Sequence, residues 1–262
     1  MRIRLDAELV KRKMARSRDD ARELIESGSV IVNGFPAMKV ATMVDESTSI
    51  SLVSERESYV SRGAHKLKGA LEYFAIPSFN GKTVLDAGAS TGGFTEIALQ
   101  WGAQDVIAVD VGYGQLAWSL QDHPQVKVFD RTNIRELDQS MIGDKVDVIV
   151  ADLSFISLTL VLAKFKELLA DDGEMFVMVK PQFEVGKALL GAGGVVRESE
   201  SRAMAVRQVA SAAWDLGLGV AGVVASSLPG PSGNVEYFLW LRTEGEELRE
   251  SDLQQAIKEG PQ

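Results

Sequence analysis

Val84-Leu85-Asp86-Ala87-Gly88-Ala89-Ser90-Thr91-Gly92-Gly93-Phe94 reads as a buried strand, a tight turn and the start of a helix. Glycines in such a turn let the backbone approach a ligand where a Cβ would collide. The spacing is neither G-x-G-x-x-G nor G-x-x-x-x-G-K-[ST], which disfavours a dinucleotide pyrophosphate and a P-loop phosphate. An acid ahead of the first glycine suggests instead a ligand that carries an ammonium group.

Outward from this turn, strands and helices alternate. Residues 83–85, 106–109, 126–129, 146–151 and 175–179 are predominantly apolar runs, as expected of strands buried on both faces. Helical stretches lie between them at 93–101, 115–121 and 158–169, and another, about 198–216, follows the glycine-rich loop 186–196. This alternation predicts an α/β fold, a parallel sheet with helices on both sides. The last two apolar runs, 219–225 and 236–241, are joined by Leu228-Pro-Gly-Pro-Ser-Gly-Asn234. That joint is too short for a crossover helix, so these two strands are expected to pair antiparallel. Asp86, Asp110, Asp130 and Asp152 then fall at the ends of four strands, on the rim where open α/β sheets bind ligands. Asp110 suits ribose hydroxyls, and a rim this acidic suits a cation such as S-adenosylmethionine, with its sulfonium and ammonium groups.

The first sixty residues read as a separate unit. Leu5, Leu9 and Val10 suit one helix face, and Ala21, Leu24 and Ile25 a second helix, 18–27, ending at Gly28. Ser29-Val-Ile-Val-Asn-Gly34 predicts a strand entering a tight hairpin. Polar stretches at 45–51 and 54–58 read as turn and linker, with the boundary near Tyr59, and the polar, acidic tail 244–262 reads as a loose helix. Arg2, Arg4, Lys11, Arg12, Lys13, Arg16, Arg18 and Arg22 face only four acids over the same span, in a chain whose net charge is −9. Such a patch attracts nucleic acid locally, because screening confines each charge to about 10 Å; a solvated pair of amphipathic helices explains the charge equally well.

Composition narrows the rest. The 262 residues, 45% hydrophobic and 25% charged, suit a soluble protein with a real core. Absence of cysteine excludes disulfides, thiolate nucleophiles and iron–sulfur clusters. Only His65 and His123 remain as soft metal ligands, both read as structural or solvent-facing, so no metal is expected. No run approaches the roughly 18 apolar residues of a membrane span, and the start MRIRLDAELVKRK has no signal-peptide core, so a cytoplasmic location is expected.

Lys180 follows an apolar strand and precedes Pro181; a partly desolvated amine beside an acid such as Asp152 can serve as a base. Lys66 and Glu236 are further candidates, although each alone also reads as a surface salt-bridge residue. Amino-group methyltransferases that act on bases place Pro-Pro-aromatic after the fourth-strand acid. Here Asp152 is followed by Leu153-Ser154-Phe155. A hydroxyl acceptor needs a base and positive charge for the developing alkoxide, which two lysines and two acids supply.

These residues resemble a known family. Arg4-Leu-Asp, Ala15-Arg-Ser-Arg18, Tyr59-Val-Ser-Arg-Gly-Ala-His-Lys66, Asp86–Phe94, Asp110-Val-Gly-Tyr-Gly114, Ala151-Asp-Leu-Ser-Phe155, Lys180-Pro-Gln-Phe-Glu-Val-Gly186 and Pro229-Gly-Pro-Ser-Gly-Asn-Val-Glu236 together are similar to the TlyA family. The resemblance implies an S4-like RNA-binding domain of α+β type over 1–59 with its linker. It implies a Rossmann-like class I methyltransferase domain of FtsJ/RrmJ type over 60–244, seven-stranded and mostly parallel with the last strand antiparallel, leaving 245–262 as tail. It further implies S-adenosyl-L-methionine-dependent methylation of cytidine 2′-hydroxyls in ribosomal RNA, with an influence on capreomycin and viomycin susceptibility. The implied catalytic residues are Lys66, Asp152, Lys180 and Glu236. The implied cofactor residues are Asp86, Gly88, Ala89, Ser90, Thr91, Gly92, Gly93, Phe94, Asp110, Val111, Asp130 and Asp152. The RNA contacts fall on Arg4, Lys11, Arg16, Arg18, Arg22 and Arg62. The partners are ribosomal RNA and ribosomal subunits, no membrane is involved, and a monomer is favoured. Two alternatives stay open: a membrane-active haemolysin, which needs bulky apolar residues on its basic helices, and a non-catalytic ribosome-assembly factor.

Overall fold

A computed structural model describes residues 2–26, 29–37, 39–52 and 59–261. The contacts divide the chain into two units, Met1–Ser58 and Tyr59–Gln262. The expected stop of the second helix at Gly28 and the linker 54–58 lie outside the described residues.

The first unit runs β1 (Ile3–Arg4), α1 (Leu5–Lys11), α2 (Arg18–Glu26), β2 (Val30–Val32), β3 (Phe35–Pro36), β4 (Met43–Val44) and β5 (Ile50–Leu52). Leu5, Leu9, Ala21, Leu24 and Ile25 form its core with Val30 and Val44. Asn33 and Gly34, at φ 51° and 86°, close the β2–β3 hairpin as a two-residue turn between the paired Val32 and Phe35.

The second unit runs α3 (Arg62–Tyr73), β6 (Thr83–Ala87), α4 (Gly93–Gln100), β7 (Asp105–Val109), α5 (Trp118–Gln121), β8 (Val126–Phe129), α6 (Gln139–Ile142), β9 (Val146–Ala151), α7 (Leu162–Leu168), β10 (Leu169–Val179), α8 (Pro181–Glu184), α9 (Ser199–Trp214), β11 (Gly219–Ala225), β12 (Tyr237–Arg242) and α10 (Glu250–Glu259). Its seven strands are ordered β11-β12-β10-β9-β6-β7-β8, with β12 antiparallel to both neighbours. Alternation along the strands splits the core in two. Leu85, Ile107, Ile149 and Val177 pack toward α7, α9 and α10, whereas Val84, Val106, Val148 and Phe176 pack toward α3 and α4.

The acidic segment expected as a loose helix forms α10, but it is docked rather than loose, with Leu253, Ala256 and Ile257 buried beside α9 and β11. Their i, i+3, i+4 spacing gives the acidic segment one apolar stripe. Helix α3 precedes the first sheet strand where no helix was assigned. It is built on Ala64, Leu67, Ala70 and Leu71, and the buried Tyr59 ring packs edge-on against His65 just before it.

Helices α3 and α4 meet at Gly93, where a Cβ would stand 2.3 Å from Ser61 Oγ and 2.7 Å from the Ala64 nitrogen. Gly93→Ala therefore forces the helices apart and costs about 1–3 kcal/mol, read as a lower urea midpoint; an unchanged midpoint would contradict this close approach.

Candidate active site

The sheet topology brings three of the candidate catalytic residues to one edge. β9 and β10 are parallel neighbours with Ala151 opposite Val177, so Asp152 and Lys180 leave the sheet side by side. β12 runs the other way with Tyr237 opposite Val179, which sets Glu236, just before it, against the end of β10. Pro181 ends the ladder at Lys180 and opens α8. Helix α3 supplies Lys66 from the margin of its buried face. Lys180 Nζ stands 2.5 Å from Asp152 Oδ1, and Lys66 Nζ stands 2.6 Å from Glu236 Oε2. Lys180 also donates to Ser154 Oγ at 2.9 Å. The two lysines are 7% and 8% exposed. All four residues line one cavity of about 400 Å³ together with Gly88, Ala89, Ser90, Thr91, Gly93 and Phe94.

The glycine turn is shaped by close approach. Gly88 has φ 86°, and a Cβ there would stand 2.7 Å from the Asp152 carbonyl oxygen. Ser90, at φ 47°, donates its N–H to Asp110 Oδ2 at 2.8 Å, and Gly112 donates to Asp110 Oδ1 at 2.7 Å. Asp130 Oδ2 accepts the Gly114 N–H at 2.9 Å, and Val111 is exposed. The acids after β7 and β8 thus order the loops around the rim. Gly92 faces away from the cavity, toward Leu116 and Leu120.

Asp86 departs from its expected place on the rim. It lies within β6 on the α4 side of the sheet, fully buried, and accepts the Thr95 hydroxyl at 2.6 Å, while its Oδ1 has no hydrogen-bond partner. Burial pushes its carboxyl up to about 7, against the Thr95 hydrogen bond. The cause is strand alternation: Asp86 takes the same face as Val84, behind the turn.

In the first unit, the nearly buried Asp6 gathers two of the candidate RNA contacts. Arg4 bonds both its oxygens at 3.0 Å, and Arg18 reaches it at 3.4 Å. The Arg4 hydrogen bond holds the Asp6 carboxyl below the usual carboxylate range. Lys11 pairs with Glu46 and Arg16 with Asp20, and Arg22 is exposed. Arg62 lies in the second unit, where it lines the active-site cavity and reaches the Pro229 carbonyl at 3.4 Å. Arg12 is a fold residue, bonding Glu8 and the carbonyls of Asp45 and Thr48.

Sequence reasoning missed Ser154, used only to show that proline was absent, and Phe155. The latter is 91% exposed at φ 64°, an unusual conformation for a bulky residue, with its ring 5.2 Å from Phe183. A strained, exposed aromatic beside the Lys180–Asp152 pair has no sequence signal beyond its position after Asp152.

A Rossmann-like sheet with an antiparallel last strand and a glycine-turn cavity at its rim defines a methyltransferase. Residues 59–243 match the model of the FtsJ-like methyltransferase family and residues 3–50 that of the S4 domain. The chain is 54% identical to the 16S/23S rRNA (cytidine-2'-O)-methyltransferase TlyA of Mycobacterium tuberculosis, over 99% of both chains. It is 35% identical to Hemolysin A of Brachyspira hyodysenteriae, over 90% of this chain and 98% of that one. A solved structure from Streptococcus thermophilus superposes with a TM-score of 0.76 at 34% identity, covering 98% of this chain and 96% of the other. The chain belongs to the FtsJ-like methyltransferase family and carries an S4 domain at its N-terminal end.

A carboxyl raised from 3.8 to about 7 binds its proton more tightly in the folded state, so Asp86 costs stability progressively as pH rises across that window and costs most above it. Asp86→Asn, which keeps the Thr95 contact, should therefore raise the thermal midpoint more at pH 8 than at pH 5. An equal shift at both values would show that burial does not raise the Asp86 carboxyl.

Proposed function

We propose that this protein transfers the methyl group of S-adenosyl-L-methionine to the ribose 2′-hydroxyl of cytidines in ribosomal RNA, in the cytoplasm. The observation that carries the reading is the meeting of two lysine–carboxylate pairs, Lys180–Asp152 and Lys66–Glu236, in one cavity beside the glycine turn. The name of the 54%-identical relative supports the choice of acceptor.

The residues present fit the methyl donor. Gly88 leaves a cradle that a Cβ would fill, the cavity volume admits a nucleoside-sized ligand, and Asp152 carries a carboxylate on the cavity wall. The turn 88–93 would hold the amino-acid end and Asp110 with Val111 the nucleoside end, with Asp130 ordering the loop beside them. When bound, the sulfonium supplies an electrophilic methyl carbon and a neutral thioether leaving group. Lys180 faces the acceptor hydroxyl: as the neutral amine it receives the hydroxyl proton, and as the ammonium it holds the developing alkoxide, while Asp152 fixes the position of its nitrogen. Lys66 and Glu236 add a second charged pair that orients the ribose. The exposed Phe155 ring offers a stacking surface to a cytosine turned out of its helix, which brings the 2′-hydroxyl in line with the reacting bond. In the S4 domain Arg4, Arg16, Arg18 and Arg22, with Lys11, grip phosphates and position the RNA, and Arg62 contacts it at the cavity.

The test is transfer of radiolabel from S-adenosylmethionine to purified ribosomal subunits, with the modified nucleotide mapped. Label on a cytidine ribose is expected; label on a base, or none, would overturn the reading. Lys180→Ala should lower turnover by at least about 100-fold, since general acid–base groups contribute 10²–10⁴-fold, while calorimetry finds cofactor affinity little changed. Full turnover in that variant would remove Lys180 from the chemistry. Replacing Arg16 and Arg18 by Ala should weaken RNA binding and reduce the slope of log affinity against log salt by up to about 2, one per lost phosphate contact. An unchanged slope would assign those arginines to a solvated helix face.

A further inference from the structure

Glu184 is a buried acid for which the proposed reaction has no use. It lies on α8, four residues after Lys180, and is 8% exposed. Its carboxylate bonds a different loop: Ser157 donates its hydroxyl to Oε2 at 2.5 Å, and Leu158 donates its N–H to Oε1 at 2.9 Å. Both donors belong to the segment that follows Asp152. Burial pushes the Glu184 carboxyl up from its ordinary value, against these two hydrogen bonds. An apolar side chain would fill the space at lower desolvation cost, but it would not bond the neighbouring loop.

That bond has a consequence for the active site. Among the described residues, no backbone hydrogen bond joins 152–158 to 180–185. Side chains alone couple the two loops: Lys180 to Asp152 and Ser154, Phe155 to Phe183, and Glu184 to Ser157 and Leu158. Of these, Lys180, Asp152 and Phe155 face the cavity or the solvent beside it and must also engage substrate. Glu184 is buried behind them and is the charged group whose bonds serve only the coupling.

We infer that Glu184 is a positioning residue: it locks the loop after β9 to the loop after β10, and so sets where Asp152, Ser154 and Phe155 stand relative to Lys180. The glycine turn and the Asp110 loop hang on other strands and Asp152 is the one group shared with the cofactor, so loss of Glu184 acts on turnover far more than on cofactor binding. The inference rests on the reading that the Lys180–Asp152 pair carries transfer.

Steady-state methyl transfer to ribosomal subunits tests it with Glu184→Ala, Glu184→Gln, Ser157→Ala and the Glu184→Ala/Ser157→Ala double variant. Misplacement of about 1 Å in a reacting group costs on the order of 100-fold, so Glu184→Ala should lower kcat by about 10- to 100-fold. The KM for S-adenosylmethionine should stay within about twofold, as befits a contact that serves only the transition-state geometry. Glu184→Gln can still accept from Leu158 and bond Ser157, and should restore most of kcat. The double variant should be no slower than Glu184→Ala, because both substitutions break one contact. An unchanged kcat in Glu184→Ala, an equal loss in cofactor affinity, no rescue by Gln, or multiplicative losses in the double variant would each overturn the assignment. Should Glu184→Ala not fold, Ser157→Ala deletes one hydroxyl and must by itself lower kcat at constant cofactor affinity; an unchanged kcat there is equally fatal. Wild-type protein that methylates no ribose would sink the proposed function itself, a result separate from any of these.

Discussion

Two ammonium groups sit nearly buried at one edge of the sheet, and they can stay there only because a carboxylate lies against each. An unpaired buried charge costs several kcal/mol, so Lys180 requires Asp152, and Lys66 requires Glu236. Several features of the second domain serve that arrangement. The parallel β9–β10 ladder and the antiparallel β12 deliver three of the groups to one edge. Close packing of α3 on α4 at Gly93 delivers the fourth. Gly88 admits the glycine turn against the Asp152 carbonyl and completes the cavity wall.

Much of this was legible in the chain. Strands 126–129 and 146–151 are β-branched and apolar apart from Lys127 and Asp147, and the structure forms them with those same limits. The seven-residue Leu228–Asn234 joint forced the antiparallel turn-back before β12. Asn33-Gly34 marked a hairpin because both residues tolerate positive φ. Lys180 stood out because an amine is out of place after Phe176-Val-Met-Val179, and the convergence of Lys180, Asp152 and Glu236 follows once strand order is known.

What stayed hidden has a physical reason in each case. The site of Asp86 depends on strand parity: one residue earlier or later it would have faced α7 and α9 instead of Thr95 on α4. Helix α3 has a short apolar stripe interrupted by His65, Lys66 and Lys68, so its periodicity is weak until the sheet is there to bury it. The helix in the acidic segment after β12 was legible, but its docking was not, because the partners of its three buried apolar residues, α9 and β11, lie far back in the chain. Phe155 and Glu184 depend on loop conformation, which propensity does not reach.

What the cavity holds decides whether the two lysine–carboxylate pairs serve methyl transfer. A crystal structure of the full-length protein with S-adenosylhomocysteine should place the nucleoside by Asp110, the amino-acid end in the glycine turn, and the sulfur facing the Lys180–Asp152 pair. Ligand bound elsewhere, or sulfur turned away from both lysine–carboxylate pairs, would contradict the claim that these buried charges surround the methyl donor.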